Sequence, residues 1–275
     1  MQQTVLITGC TPGGIGHAVA TGLKEAGYRV FATARRPEVV ATLEEAGFEA
    51  TILDVTSQNS ISEALTWVKE QTGGRLDALF NNAGYGQPGA VEDLSTEALK
   101  AQLETNFFGL HRLTSQVIPI MRAQGHGRII MHSSILGLVG LRFRGAYNAS
   151  KFALEGLTDT LRLELAGSGI YVSTINTGPV TSRFRQNAYE AFKRNINREQ
   201  SVFAPYYVDA AARFESSGKD RFEKGPEAVL EKVRHALESS RPRSRYYVTT
   251  ATYLLGGFKR LLPTGMMDIL LRKVV

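Results

Sequence analysis

The chain is 275 residues long and 43% hydrophobic, with a mean hydropathy of -0.13, a make-up that suits a globular protein with a sizeable core and excludes a disordered or fibrous one. Its net charge of +6 comes without a long Lys/Arg block or an aromatic-interleaved basic motif, so no nucleic acid is expected as a partner and an anionic small molecule accounts for the charge. The single cysteine, Cys10, excludes an internal disulfide and fits a reducing, cytoplasmic setting.

The chain enters the apolar run Thr4 to Ile7 without a basic leader, so no secretion signal is expected. Short β-branched or apolar runs at Thr4 to Thr8, Arg29 to Ala34, Glu49 to Leu53, Leu76 to Phe80, Arg128 to His132 and Ile170 to Ile175 are predicted as buried strands. Between them, Gly16 to Ala26, Ser60 to Gln71, Thr96 to Ala123 and Ala149 to Ala166 show the apolar spacing of helices, with Gly27, Gly73 and Gly125 as terminators. Repeated β-α order predicts a doubly wound parallel sheet with helices on both faces. Beyond Ile175 the pattern loosens over residues 178–225, read as a lid, before a helix from Pro226 to Leu237 and a strand near Tyr246 to Thr249. Residues 250–275 form a helical C-terminal extension, and nothing linker-like divides the chain, so a single domain over 1–275 is expected. The longest apolar stretch, Ile135 to Leu141, falls far short of the roughly 20 residues of a membrane helix.

The first strand runs into Thr8-Gly9-Cys10-Thr11-Pro12-Gly13-Gly14-Ile15-Gly16 and then into a helix. A glycine-rich strand-to-helix turn lets backbone amides and the positive helix end approach a pyrophosphate, the signature of a Rossmann-type dinucleotide site. Cys10 reads as packing within that loop, not as a nucleophile. At the end of the second strand a carboxylate would accept from a ribose hydroxyl, whereas Ala34-Arg35-Arg36 offers guanidinium groups suited to a ribose phosphate. NADP(H) is therefore preferred, with NAD(H) left open; the alternative is that both arginines are solvated surface charge.

Tyr147 and Lys151 stand four apart in Tyr147-Asn148-Ala149-Ser150-Lys151, so on a helix they share a face. A phenol needs a nearby positive charge to shuttle a proton near neutrality, although such pairs also arise by chance. Ser134 falls just past a strand's carboxyl end, where parallel-sheet enzymes bind ligands, and Asn106 lies among apolar helical neighbours and needs partners for its amide. The plainer readings are a turn serine and a helix-packing asparagine.

Taken together, the glycine loop, Asp54-Val55, Asn81-Asn82-Ala83-Gly84, Asn106, Ser134, Tyr147 to Lys151 and Gly178-Pro179-Val180 resemble the short-chain dehydrogenase/reductase family across most of the chain. The resemblance implies a tetrad of Asn106, Ser134, Tyr147 and Lys151. Tyr147 would be general acid in reduction and base in oxidation, Ser134 would hold the substrate oxygen, Lys151 would bind the nicotinamide ribose and lower the phenol pKa, and Asn106 would anchor a water. It also implies cofactor contacts from Gly9, Thr11, Gly14, Ile15 and Gly16 in the loop and from Arg35 and Arg36. Asp54 and Val55 would flank the adenine, Asn82, Ala83 and Gly84 would support the cofactor's middle, and Val180 and Ser182 would lie near the nicotinamide; no metal is assigned. The chain departs from the family pattern by one extra residue in the glycine loop, by Thr177-Gly178 where Pro-Gly is common, and by Ser182 in place of threonine.

Thr33-Ala34-Arg35, Asn106-Phe107-Phe108-Gly109 and the long extension look most like hydroxysteroid and retinol dehydrogenases and bacterial aldehyde-reducing relatives. Phe184, Tyr189, Phe192, Phe203, Tyr206 and Tyr207 in the lid could line an apolar pocket, though half of them are expected in the core. NADPH-dependent reduction of a hydrophobic aldehyde or ketone is the leading expectation. Oxidation of a hydroxysteroid, retinol-like or other alcohol is the alternative, and a non-catalytic nicotinamide-binding regulatory protein is the reading from another class. The extension places Leu254, Leu255, Phe258, Leu261 and Leu262 on one face, so it is expected to pack on its own domain or a subunit partner, with peripheral membrane contact possible but not favoured. The resemblance further implies a homodimer or homotetramer.

Overall fold

The computed structural model describes residues 2–208 and 222–273, so part of the expected lid, 209–221, lies outside the described residues. Strand β1 (Thr4–Ile7) is followed by helix α1 (Ile15–Glu25), β2 (Arg29–Ala34), α2 (Pro37–Glu45), β3 (Glu49–Ile52), α3 (Gln58–Thr72) and β4 (Ala78–Asn81). Then come α4 (Thr96–Leu103), α5 (Gly109–Gln124), β5 (Gly127–Ser134), α6 (Gly145–Glu164), β6 (Ile170–Thr177) and α7 (Phe184–Asn195). Past the undescribed stretch lie α8 (Glu227–Glu238), β7 (Arg245–Tyr247), α9 (Thr250–Leu261) and α10 (Thr264–Leu271).

The seven strands form one parallel sheet in the order β3-β2-β1-β4-β5-β6-β7. Successive side chains point to opposite faces, and the two cores follow from that period. Val5, Ile7, Val30 and Ala32 pack with Val19 and Leu23 of α1 and Val229 and Val233 of α8. On the other face, Leu6, Phe31 and Leu79 pack with Ile61 and Leu65 of α3 and Leu110 and Val117 of α5. Both faces are covered, which is why the strands read as continuous apolar runs. The chain leaves β1 in one direction to build β2 and β3 and in the other to build β4 to β7, and the carboxyl ends at this reversal open a crevice.

Gly73 and Gly125 close α3 and α5 in the left-handed conformation, with φ of 64° and 77°, as the sequence suggested. Several boundaries differ from expectation. Helix α2, which starts with Pro37 at its first helical position, was not anticipated. The expected single helix from Thr96 to Ala123 is divided by a π turn at Glu104–Phe108, centred on Asn106. Helix α6 begins at Gly145, not Ala149, and so contains Tyr147. The last strand is β7, Arg245–Tyr247, with Thr249 serving instead as the N-cap of α9. Within the expected lid, 184–195 is a helix, because Ala188, Ala191 and Phe192 bury one face. Among the described residues no helix is long and apolar enough to cross a membrane.

The extension folds back on the molecule. Leu255, Leu262, Met267 and Leu270 pack against Ile135, Leu136 and Tyr147, while Leu254, Phe258, Leu261, Met266 and Ile269 remain exposed.

Candidate active site

At the exit of β1, Gly9 has φ +75°, and a Cβ there would lie 3.1 Å from Ala83 Cα. At Gly16 a Cβ would come within 2.6 Å of Gly9 O and even closer to Asn82 Nδ2, so both positions require glycine. Gly14 caps α1 with no side-chain cap and no acid in the first turn, leaving the helix's first amides able to meet an anion. The additional loop residue has a consequence: Gly13, at φ +78°, accepts at its carbonyl from Arg183 N at 3.2 Å, tying the loop to the start of α7. Cys10 is fully buried, its thiol donating to Ile7 O at 3.4 Å and pushed up to about 12 by burial, so it is a packing residue and not a nucleophile.

The exit of β4 grips this loop. Asn82 N and Ala83 N both donate to Thr8 Oγ1 at 2.9 Å, and Asn82 Nδ2 donates to Thr8 O at 2.8 Å and Gly9 O at 3.2 Å. Asn82 therefore spends its side-chain NH₂ on the loop. Gly84 passes so near Asn106 that a Cβ would sit 3.0 Å from its Oδ1. Asp54 accepts at Oδ1 from Thr56 N and Thr56 Oγ1 at 2.9 and 2.7 Å, and the neighbouring Val55 is buried. At the end of β2, Arg36 pairs with Glu38 at 3.3 Å, both exposed; Arg35 is exposed and has no carboxylate in ion-pair range among the described residues.

The structure brings Ser134, Tyr147 and Lys151 together where β5 and α6 meet. The Ser134 hydroxyl lies beside the Tyr147 phenol and favours its ionised form; its Oγ accepts from Leu136 N at 3.1 Å and donates to Thr177 O at 3.3 Å. Tyr147 is 8% exposed, its ring 5.3 Å from that of Phe184. Burial pushes its phenol up to about 12, with the Ser134 hydrogen bond opposing. Lys151 is 4% exposed, donates to His132 O at 2.6 Å and lies 5.6 Å from the tyrosine ring centre. Burial brings its ammonium down to about 8, with the charge of Glu155 opposing. Desolvation, not the charge of Lys151, sets the direction of the phenol's shift here, in contrast to the expected lowering.

Asn106 is fully buried and its side chain is completely engaged: Oδ1 accepts from Tyr85 N at 3.1 Å, and Nδ2 donates to Tyr85 O at 2.9 Å and Ser150 Oγ at 3.2 Å. It joins α6, the π turn and the loop segment after β4. Ser182 bonds locally, to Val180 O and from Phe184 N, each at 3.4 Å, and so shapes the start of α7. An open groove of about 550 Å³ runs past Gly13, Ser182, Arg183 and Tyr189, on the loop side of the site.

The short chain dehydrogenase family matches residues 3–193. The chain belongs to the short-chain dehydrogenase family. The Escherichia coli (strain K12) protein "Uncharacterized oxidoreductase YbbO" is 42% identical over 99% of this dehydrogenase and 95% of its own length. Retinol dehydrogenase 8 of Bos taurus is 34% identical, covering 97% of this chain and 88% of that one. A crystal structure of a short-chain dehydrogenase from Streptomyces avermitilis superimposes with a TM-score of 0.78 at 29% identity, covering 100% and 95% of the two chains. This dehydrogenase is accordingly an oxidoreductase of a family that binds NAD(P), on a Rossmann-type sheet.

Sequence reasoning missed two polar residues of the dehydrogenase. His132 is buried, with Nδ1 at 2.8 Å from Asn82 Oδ1 and Nε2 at 2.7 Å from Thr177 Oγ1. Glu155, one turn beyond Lys151, is buried against Arg245 at 2.6 Å and accepts from Asn176 Nδ2 at 2.6 Å. The available signal was the same for both: a polar side chain on an otherwise buried strand or helix face must have a partner. Of the six aromatics assigned to the lid, Phe192 and Tyr207 are core, and Phe184 stands beside Tyr147.

Proposed function

We propose that the protein is an NADP(H)-dependent reductase of a hydrophobic aldehyde or ketone, with Asn106, Ser134, Tyr147 and Lys151 as its working residues. The observation that carries this reading is the buried Tyr147 phenol beside the Ser134 hydroxyl, one helical turn from a buried Lys151, at the carboxyl edge of the sheet. Two hydroxyls at one point can both donate to a carbonyl oxygen placed between them. A nicotinamide bound in the crevice would supply the hydride. A phenol raised to about 12 is fully protonated at neutral pH, so Tyr147 is ready to give its proton to the developing alkoxide. Lys151, held by His132 O, places positive charge beside the phenolate that this transfer leaves. Tyr85 and Ser150 hold Asn106 and fix α6, and hence Tyr147, against the π turn.

The crevice suits a dinucleotide: bare helix amides at Gly14, glycines pressed to the neighbouring strand exit, and Asp54 with one carboxylate oxygen still without a protein partner among the described residues. Arg35, without an ion pair among the described residues, favours a 2'-phosphate and hence NADP(H). Phe184 beside Tyr147 favours an apolar substrate. The similarity to retinol dehydrogenase 8 supports a second reading, oxidation of a retinol-like alcohol by the same residues run in reverse. A panel of graded aldehydes, ketones and steroids with NADPH and NADH, and of the matching alcohols with NADP+, separates the two; turnover of small or highly charged compounds alone would overturn the hydrophobic assignment. Tyr147→Phe is expected to cut turnover by about 10²–10⁴-fold while NADPH still binds. Unchanged turnover would remove Tyr147 from the chemistry, and a wild type that binds NADPH yet converts nothing would favour a binding protein.

A further inference from the structure

Three segments that reach the site from different strands meet on the buried ring of His132, and the hydrogens on that ring follow from its partners. Asn82 Nδ2 faces two carbonyl oxygens, Thr8 O at 2.8 Å and Gly9 O at 3.2 Å, and only the NH₂ end of an amide can donate to both. Asn82 Oδ1 is therefore the atom facing His132 Nδ1 at 2.8 Å. An amide oxygen only accepts, so Nδ1 carries hydrogen. Burial takes the imidazole down to about 3, with the charge of Lys151 acting in the same direction, so the ring is neutral and Nε2 is bare. Nε2 must then accept from Thr177 Oγ1 at 2.7 Å, in preference to that hydroxyl's longer contact of 3.1 Å with Ser133 O. The main chain of the same residue accepts from Lys151 Nζ at 2.6 Å.

We propose that His132, locked as the Nδ1–H tautomer between Asn82 and Thr177, is a positioning residue that holds the glycine loop, the exit of β6 and the seat of Lys151 in one frame around the nicotinamide cofactor. The role rests on the cofactor reading above. It also accounts for a departure from the family pattern: the threonine at 177, where proline is common, supplies the hydroxyl that the neutral ring needs, and a proline has none. His132 acts only through its hydrogen-bond partners. Asn82 carries its effect to Thr8 and Gly9, and Thr177 carries it to Gly178, Pro179 and Val180.

Long-range ¹H–¹⁵N spectra of the full chain at neutral pH, with His132→Gln assigning the resonance, are expected to show a protonated Nδ1 and a bare Nε2. An Nε2–H tautomer or an imidazolium would overturn the proposal. Thr177→Val keeps the shape and removes the donor; by fluorescence titration its Kd for NADPH is expected to rise about tenfold, while Thr177→Ser stays near the wild-type value. A lower melting temperature with an unchanged Kd would reduce the network to a structural brace and overturn the role. Where Thr177→Val does not fold, Thr177→Ala is measured in the same way with the same expectation. No binding of either nicotinamide cofactor by the wild type would overturn the cofactor reading and this role together, whereas wild-type binding with an unchanged Kd in the variants overturns this role alone.

Discussion

In the proposed mechanism Lys151 has to keep a positive charge while almost all of it is out of water, and that conflict predicts a pH dependence for the site. Its ammonium is brought down to about 8 by burial, whereas the Tyr147 phenol is pushed up to about 12. As pH rises through about 8, Lys151 is the group that deprotonates, and Tyr147 keeps its proton. The catalytic efficiency of carbonyl reduction is therefore expected to fall with rising pH across that window, measured as log kcat/KM against pH. An inflection only near the tyrosine value would assign the loss to Tyr147 instead. On the proposed cofactor reading, Arg35 is the cation left to meet a 2'-phosphate, since Arg36 pairs with Glu38. Arg35→Asp is expected to reverse the preference toward NADH, by roughly 1–3 kcal/mol of lost phosphate binding; equal NADPH and NADH efficiencies before and after the change would count against the assignment.

At the scale of elements, the π turn at Glu104–Phe108 is where the sequence pattern and the fold part company. Apolar spacing from Thr96 to Ala123 is continuous, and nothing local announces an interruption. The turn is held by contacts from elsewhere: Asn106 bonds to Tyr85 and Ser150, and Gly109, first residue of α5, is pressed against the carbonyl of Val55. A Cβ at Gly109 would sit 2.5 Å from Val55 O, a backbone atom that cannot step aside. Gly109→Ala is expected to cost about 1–3 kcal/mol in stability, read from denaturant unfolding. It should also weaken cofactor binding, since Val55 and Asp54 share that segment. A stability within experimental error of the wild type would show that α5 can shift.

At the scale of the whole molecule, two cores on opposite faces of one parallel sheet leave the strand ends free to carry the site. The extension completes it, since α9 and α10 bury Leu255, Leu262 and Met267 on the cluster that contains Tyr147. Their other faces expose Leu254, Phe258 and Leu261. Exposed apolar surface of this kind and the general habit of the family both favour association. Sedimentation velocity is expected to show a dimer or tetramer; a single species at the 30.1 kDa of one chain would refute that expectation.

The strands, the glycine turn and the Tyr147–Lys151 spacing were legible in the sequence because each is local: periodicity, backbone freedom and a four-residue offset are properties of adjacent residues. Ser134 was legible too, from its place at a strand's carboxyl end. The splitting of the long helix, the engaged amide of Asn106 and the His132 network were decided by tertiary structure. Asn82, His132 and Thr177 belong to three segments that become neighbours only when β4, β5 and β6 pair. The opposed shifts of Tyr147 and Lys151 have the same origin, because desolvation is set by whatever the rest of the chain lays over a residue.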